Sequence, residues 1–286
     1  IKTFNPGNNK DVEIGGNVQG DPSGTINGQV VADGSVVTWP MSVGDLPANR
    51  AQDVLSHIET DTLSNGLNYE GFHAYLPQAD GSFQDVSDHI NVQQNGQDLT
   101  FVADDYLIGL YNQDKSAAFK MPIIDLITSV HGTSIIAPNK FNSQLTFKDG
   151  NGQTVINNTS NQVQISTYHP TNTKDVELGG NVQGDTPNSI NDKVVANGAI
   201  VTWPMASSEL PANRVQDLQS RVISETLDSH LQYQGYKAWL QNADGKYTDV
   251  TSHVKLTQDG QNLTFADDEY LLNLYNSNKG TAYKLP

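Results

Sequence analysis

Three polar residues, Lys10, Asp61 and Asn161, have types and positions that suggest covalent chemistry. Lys10 alternates with the valine and isoleucine of KDVEI, so a β-strand there would point the lysine to the same face as the apolar side chains. Asn161 alternates in the same way with the apolar residues of NQVQI. A lone ammonium group that faces a core is unfavourable unless it is paired, neutralised or chemically consumed.

A lysine, a carboxylic acid and an asparagine in an apolar interior are the ingredients of a spontaneous isopeptide bond. Burial lowers the pKa of a lysine and raises that of an acid, so a neutral amine and a protonated carboxyl group can coexist. The amine attacks the asparagine side-chain carbonyl, the carboxyl group shuttles protons, and ammonia leaves. Because this happens once per molecule, we predict self-maturation and no enzymatic turnover.

Other interpretations of these residues stay open. Glu59 is a rival for the acid and Asn158 for the asparagine, although the parity of Asn158 points it away from the apolar face. A lysine at the start of a strand also commonly extends its ammonium group to solvent, and an asparagine before a strand is commonly a turn residue.

The chain contains an internal repeat. KDVEIGGNVQG recurs as KDVELGGNVQG, and VVTWPM and LPANR also recur, about 164 residues later, with roughly half of the aligned residues identical. A period this long predicts that each copy is a domain. We expect residues 1–7 to be the tail of a preceding repeat, 8–169 a complete domain, and 170–286 a second domain truncated before its last strands.

The second copy carries an altered version of the three-residue pattern. Lys174 is the counterpart of Lys10, and Glu225 stands where the first copy has Asp61. Glutamate can perform the same proton transfers, but its side chain is longer. The asparagine partner of Lys174 is absent from the chain, so we expect one cross-link, in the first copy only.

The elements that must position these residues are mostly strands. Apolar alternation or β-branched composition predicts strands over 30–39, 71–76, 97–103, 144–147 and 162–168. Two stretches look helical, 47–58 and 104–112, and the second opens with a capping Asp104. We therefore predict an all-β fold with short helices, built as tandem immunoglobulin-like β-sandwich domains.

The composition narrows the function. A net charge of −16 argues against nucleic acid and against contact with an anionic membrane. The absence of cysteine excludes disulfides and thiol catalysis. No zinc-protease motif, phosphate loop or nucleophile elbow is present, and no carboxylate pair favours a glycan hydrolase. We expect a monomer without a cofactor.

Two further sets of residues have a functional and a structural interpretation. Asp104, Asp105 and Asp149 could contribute to calcium sites, but none lies in a full calcium loop, and capping or turn roles are favoured. Trp39 and Trp203 each precede a proline. Either could stack on a sugar ring, although an aromatic residue at the end of a strand more commonly belongs to the core.

The order and spacing of the motifs resemble the C-terminal isopeptide-forming domains of antigen I/II-type surface adhesins of streptococci and lactobacilli. The motifs are KDV, LPANR, the acid-containing stretch before YEG, and NKFNSQL followed by NGQTVINNTSNQV. In that family a lysine of the first strand is joined to an asparagine of the last strand with help from an aspartate. The resemblance implies these roles for Lys10, Asn161 and Asp61.

The resemblance also implies a place and a role for the protein. We expect an extracellular, cell-wall-anchored protein of a Gram-positive bacterium, in which these repeats form a stalk. In the alternative, the repeats themselves bind a host glycoprotein, matrix protein or glycan.

Overall fold

The computed structural model describes residues 1–16, 24–180, 183 and 188–286. The end of each repeated motif, residues 17–20 and all but one of 181–184, lies outside the described residues. The chain divides into two compact units, Ile1–Tyr168 (unit 1) and His169–Pro286 (unit 2).

Unit 1 contains fourteen described strands and one α-helix. They are β1 (Asn8–Lys10), β2 (Glu13–Ile14), β3 (Val30–Val31), β4 (Val36–Val43), β5 (Val54–Thr62), β6 (Leu67–Pro77), β7 (Phe83–Asp85), β8 (Ile90–Asn95), β9 (Asp98–Ala103), α1 (Asp105–Gln113), β10 (Ile123–Val130), β11 (Ile136–Asn139), β12 (Phe141–Asp149), β13 (Gly152–Thr159) and β14 (Val163–Thr167).

Two large antiparallel sheets face each other in unit 1. One has the strand order β1-β4-β10-β6-β7, with β2 also paired to β4, and the other has the order β13-β12-β5-β9-β8. A smaller sheet, β11-β14-β3, includes a parallel pairing of β14 with β3. Phe72 of β6 meets Phe101 of β9 with ring centroids 5.4 Å apart, so the facing sheets share one core. This confirms the predicted all-β sandwich.

Residues 1–7 pack within unit 1. The amide of Gly44 donates to the carbonyl of Gly7 at 2.7 Å, and the ring of Phe4 meets Phe147 edge-on at 5.5 Å. Their proposed origin as the tail of a preceding repeat remains a prediction.

The helix predicted over 47–58 is wrong, because strand β5 begins at Val54 and runs to Thr62. The side chains of β5 that face the core are not mainly apolar: after Val54, the buried positions are His57, Glu59 and Asp61. A period-2 strand with titratable residues on its inner face has no hydrophobic alternation to detect. The misread stretch therefore contains the polar part of the core.

The other element predictions are closer to the structure. The helix predicted over 104–112 is confirmed as α1, with the Asp104 carboxylate accepting from the Leu107 amide at 3.1 Å. The strand predicted over 30–39 is split by a turn at Gly34, and its second part continues through Pro40 to Val43. Pro40 lacks a donor, but its carbonyl accepts from the Asp11 amide at 3.1 Å.

Unit 2 repeats the first part of this plan. Its elements are β15 (Asn172–Lys174), β16 (Glu177–Leu178), β17 (Val201–Thr202), β18 (Met205–Ser207), β19 (Val222–Thr226), β20 (Trp239–Gln241), β21 (Tyr247–Asp249), β22 (Val254–Asp259), β23 (Asn262–Asp267) and α2 (Glu269–Asn276). Among the described residues of unit 2, no strand pairs with β18 as β10 pairs with β4. Accordingly Trp39 is 0% exposed, whereas its counterpart Trp203 is 37% exposed.

Neither helix of the described chain is long and apolar enough to span a membrane.

Candidate functional site

The structure brings Lys10 and Asp61 together in the core of unit 1. Lys10 ends β1 and pairs with Met41 of the first sheet, whereas Asp61 lies on β5 of the facing sheet. The Lys10 Nζ contacts Asp61 Oδ2, and both side chains are 0% exposed. The contact therefore bridges the two sheets through the interior.

The surroundings of this pair are apolar. The Lys10 Nζ lies 5.8 Å from the ring centroids of both Trp39 and Phe141, each of which is fully buried. Burial lowers the pKa of Lys10 from its ordinary value, and the attraction of the Asp61 carboxylate opposes this shift. Burial therefore favours the neutral amine of Lys10, whereas the charge of Asp61 favours its ammonium form.

Glu59, the rival acid, is also buried on the inner face of β5 but has another partner. Its Oε1 lies 3.2 Å from Nε2 of His57, and His57 Nδ1 lies 3.3 Å from the Tyr111 hydroxyl. Burial raises the pKa of Tyr111 well above its ordinary value, and the charge of Glu59 adds to the shift. Because Glu59 faces His57 and Asp61 faces Lys10, the geometry favours Asp61 for the proton transfer.

The expectation that Asn161 faces the core is wrong. Asn161 is exposed, and its side-chain amide pairs with the Lys10 backbone: Oδ1 accepts from the Lys10 amide and Nδ2 donates to the Lys10 carbonyl, each at 2.8 Å. The reason is that β14 begins only at Val163, so the strand alternation does not extend back to Asn161. Its side-chain amide instead hydrogen-bonds to β1 in the way that a backbone peptide group of a neighbouring strand would.

The rival Asn158 is occupied elsewhere. Its Nδ2 donates to Asn5 Oδ1 at 2.8 Å and to the Pro6 carbonyl at 2.6 Å. This holds the N-terminal segment against β13 and leaves Asn158 outside the buried pair's surroundings.

The structure points to one asparagine that sequence reasoning missed. Asn139, at the end of β11, is 2% exposed, and among the described residues neither its Oδ1 nor its Nδ2 has a hydrogen-bond partner. Two residues later, Phe141 pairs with Asp61 across the β12–β5 ladder. The signal was present in the segment APNKF, where Asn139 has the same parity as the alanine before it and the phenylalanine after it.

The equivalent site in unit 2 is open. Lys174 Nζ lies 2.6 Å from Glu225 Oε1 and 4.7 Å from the ring centroid of Trp203. The Lys174 side chain is 40% exposed and that of Glu225 is 18% exposed. The lysine and acid of the second copy thus meet, as in the first, but without the burial that would promote a neutral amine.

The two copies differ in a second pair of contacting polar residues. Where unit 1 has His57 and Glu59, unit 2 has Arg221 and Ile223. Arg221 instead reaches Asp267 at the end of β23, with Nη1–Oδ1 at 3.1 Å, and this acid replaces an alanine of unit 1. The acid beside this position is therefore on the same strand, β5, in unit 1 and on another strand, β23, in unit 2.

The residues considered for calcium have partners within the protein. Asp104 caps α1 and lies 2.9 Å from His89, and Asp149 accepts from Thr154 Oγ1 at 2.8 Å. Asp105 lies in the first turn of α1. In the part of the chain that the structure describes, no three His, Asp or Glu side chains are grouped as metal ligands.

Comparison with known proteins places the fold. No family model matches the sequence, and no curated protein matches it either. Among solved structures, the chain is similar to the C-terminal domain of the antigen I/II polypeptide BspA of Streptococcus agalactiae, with 16% identity, a TM-score of 0.60, and coverage of 97% of this chain and 88% of that one.

It is also similar to the C-terminal domain of the antigen I/II-family protein AspA of Streptococcus pyogenes, with 16% identity, a TM-score of 0.64, and coverage of 98% of this chain and 88% of that one. At this identity the similarity establishes a shared fold. The predicted resemblance to antigen I/II C-terminal domains is therefore confirmed at the level of the fold.

Proposed function

We propose that this chain is a stalk segment of a Gram-positive cell-surface adhesin, in which unit 1 is locked by an isopeptide bond between Lys10 and an asparagine. Asp61 is the proton shuttle. The observation that carries the proposal is the contact between Lys10 and Asp61, both completely buried. An isolated buried ion pair of this kind contributes little to stability, because the desolvation of both charges offsets their attraction. A chemical role accounts for its presence.

The chemistry follows from the pair. A proton moves from the Lys10 ammonium to the Asp61 carboxylate, which leaves a neutral amine beside a neutral acid. The amine attacks an asparagine Cγ while the acid polarises the carbonyl oxygen, and the amide nitrogen departs as ammonia. The product amide carries no charge. The reaction therefore removes two charges from the core and replaces them with a covalent link.

The link suits a protein that bears load. The chain has no cysteine and so no disulfide that could resist unfolding. By the loop-entropy relation for cross-links, closing a loop of 130 to 150 residues stabilises a domain by about 5 kcal/mol. Tension between the ends of unit 1 would pass through the bond and bypass most of the residues between. We place the protein in the cell wall, where it supports attachment to host glycoproteins, matrix or glycans.

The intact mass of the purified chain tests this function. We expect the parent to be lighter than its sequence mass by one ammonia, and the Lys10→Ala variant to have its full sequence mass. Lys174→Ala is the matched control, because it removes the equivalent lysine of the open site and should leave the ammonia loss unchanged. A parent chain with its full sequence mass would refute the isopeptide function.

A further inference from the structure

We propose that Asn139 is the asparagine that Lys10 attacks, and that Asn161 is a positioning residue that holds the Lys10 backbone. This inference rests on the isopeptide function proposed above and assigns its acceptor. It departs from the pairing of the first and last strands that the sequence suggested.

The state of the Asn139 amide is the first argument. Buried side-chain amides are almost always hydrogen-bonded, because an unpaired one loses its interactions with water without compensation. Asn139 is 2% exposed, and neither of its amide atoms is paired within the part of the chain that the structure describes. An unsatisfied buried polar group in a folded protein calls for an explanation. A role as the group that the lysine amine attacks would explain why this amide is left unpaired.

The position of Asn139 is the second argument. The carbonyl of the preceding Pro138 accepts from Ser64 Oγ, three residues beyond Asp61, so this end of β11 follows the same edge of β5. Phe141 faces Asp61 in register, and its ring lies 5.8 Å from Lys10 Nζ. The residues on both sides of Asn139 thus lie near the buried pair, and from this we infer that its side chain can reach the lysine amine.

One carboxylate oxygen of Asp61 is available to interact with Asn139. Asp61 Oδ2 contacts Lys10 Nζ, whereas Asp61 Oδ1 is buried and makes no hydrogen bond to any described residue. A protonated Oδ1 can donate to the Asn139 carbonyl oxygen while Oδ2 receives the proton of the amine. One carboxyl group thus has a free oxygen for each of the two reacting groups.

The side-chain amide of Asn161, in contrast, is already hydrogen-bonded. Its Oδ1 and Nδ2 make two hydrogen bonds of 2.8 Å to the amide and carbonyl of Lys10. The residue is exposed, so an attack on it would require the lysine amine to leave Asp61 and the core. The paired amide fixes the backbone of β1 and so directs the Lys10 side chain inward.

The reaction balances without an added reagent. The Lys10 Nζ–Asn139 Cγ bond forms and the Asn139 Cγ–Nδ2 bond breaks. Asp61 carries protons from the amine to Nδ2, which leaves as ammonia, and the carboxyl group is regenerated. No oxidation or reduction takes place.

Trypsin separates the two candidate acceptors, because Lys140 and Lys148 lie between them. A bonded Lys10 resists cleavage and stays in the peptide 3–50. We expect mass spectrometry of the digested parent to find this peptide joined to 121–140. A joint to 149–174, which contains Asn161, would overturn the assignment. This measurement needs no variant and so does not depend on the folding of a mutant.

Two variants give an independent readout. Asn139→Asp presents a carboxyl group to the amine, so bond formation should release water and not ammonia. Asn161→Ala should retain the ammonia loss but form the bond more slowly after refolding, since the lysine backbone is less well held. Continued ammonia loss in Asn139→Asp would overturn the assignment, whereas a parent with no mass loss would refute the isopeptide function itself.

Discussion

The cross-link should set how far unit 1 lengthens when the chain is pulled from its ends. A bond between Lys10 and Asn139 removes the residues between them from the path of the force. Only residues 1–9 and 140–168 can then be drawn out. At about 3.5 Å per extended residue, these segments give a contour length of about 130 Å. The measured step is this length less the folded end-to-end distance of unit 1.

Two other lengths distinguish the alternatives. A bond to Asn161 leaves only residues 1–9 and 162–168 free, which corresponds to about 55 Å. Without a bond, all of Ile1–Tyr168 extends to about 590 Å. The same folded end-to-end distance is subtracted in each case, so the differences between the three lengths are unaffected.

Single-molecule force spectroscopy with handles at both termini measures these steps. Unit 2 lies in series, so its unfolding step appears in every trace and serves as an internal reference. Lys10→Ala should convert the short step of the parent into the long one. A parent step that corresponds to about 55 Å would refute the choice of Asn139, and one that corresponds to about 590 Å would refute the bond.

Three further predictions concern the buried pair and its surroundings. Asp61→Asn blocks the proton transfer, so the chain should keep its full mass. Without the cross-link, unit 1 loses about 5 kcal/mol of stability, which should lower its Tm by roughly 10–20 °C in calorimetry. Asp98→Asn, at an exposed site on the neighbouring strand, should change neither the mass loss nor the Tm. The cross-linking rate can be measured by intact mass on chains that are purified unfolded and then refolded at a series of pH values. A plot of this rate against pH should be bell-shaped, because the reactive form of the lysine–acid pair shares a single proton. The pKa of Lys10 is lowered from 10.5, so the alkaline fall should begin below that pH, and a rate that still rises there would contradict the shared proton. In denaturant unfolding, Trp39→Ala should lower the free energy of unfolding of unit 1 by about 3–5 kcal/mol. Trp203 is already 37% exposed, so Trp203→Ala should lower that of unit 2 by roughly half as much or less. Equal losses of stability would mean that the exposure of the tryptophan does not determine the cost.

The lysine could be predicted from the sequence and its acceptor could not. Lys10 ends β1 and is buried together with Val12, as their shared parity predicts. The alternation breaks before Ile14, which is 42% exposed, whereas Glu13 is buried. Asn161 stands before the first residue of its strand, where parity has no meaning. Asn139 has the right parity, but it ends β11, and the next strand, β12, belongs to another sheet. Parity alone does not show on which side of this change of sheet Asn139 packs.

Asp61 could be predicted only from its order between the lysine and the asparagine, because the residues before it resemble a helix in sequence although β5 begins at Val54. The inner face of β5 alternates as in other strands, but its buried residues after Val54 are the polar His57, Glu59 and Asp61. Hydrophobic periodicity cannot detect a polar core, which becomes visible only when the facing sheet supplies its partners.

The different partners of these polar residues bear on whether segments of the two copies are interchangeable. Recombination between the copies would produce hybrid domains. A crossover after Glu59 would join the first copy's His57 and Glu59 to Asp267, and the hybrid domain would bury an acid without its arginine. The reciprocal product would bury Arg221 without an acid. Breaking a buried pair in this way costs about 3–5 kcal/mol. Crossovers between these strands would therefore yield less stable domains, so a segment of one copy does not substitute freely for the same segment of the other.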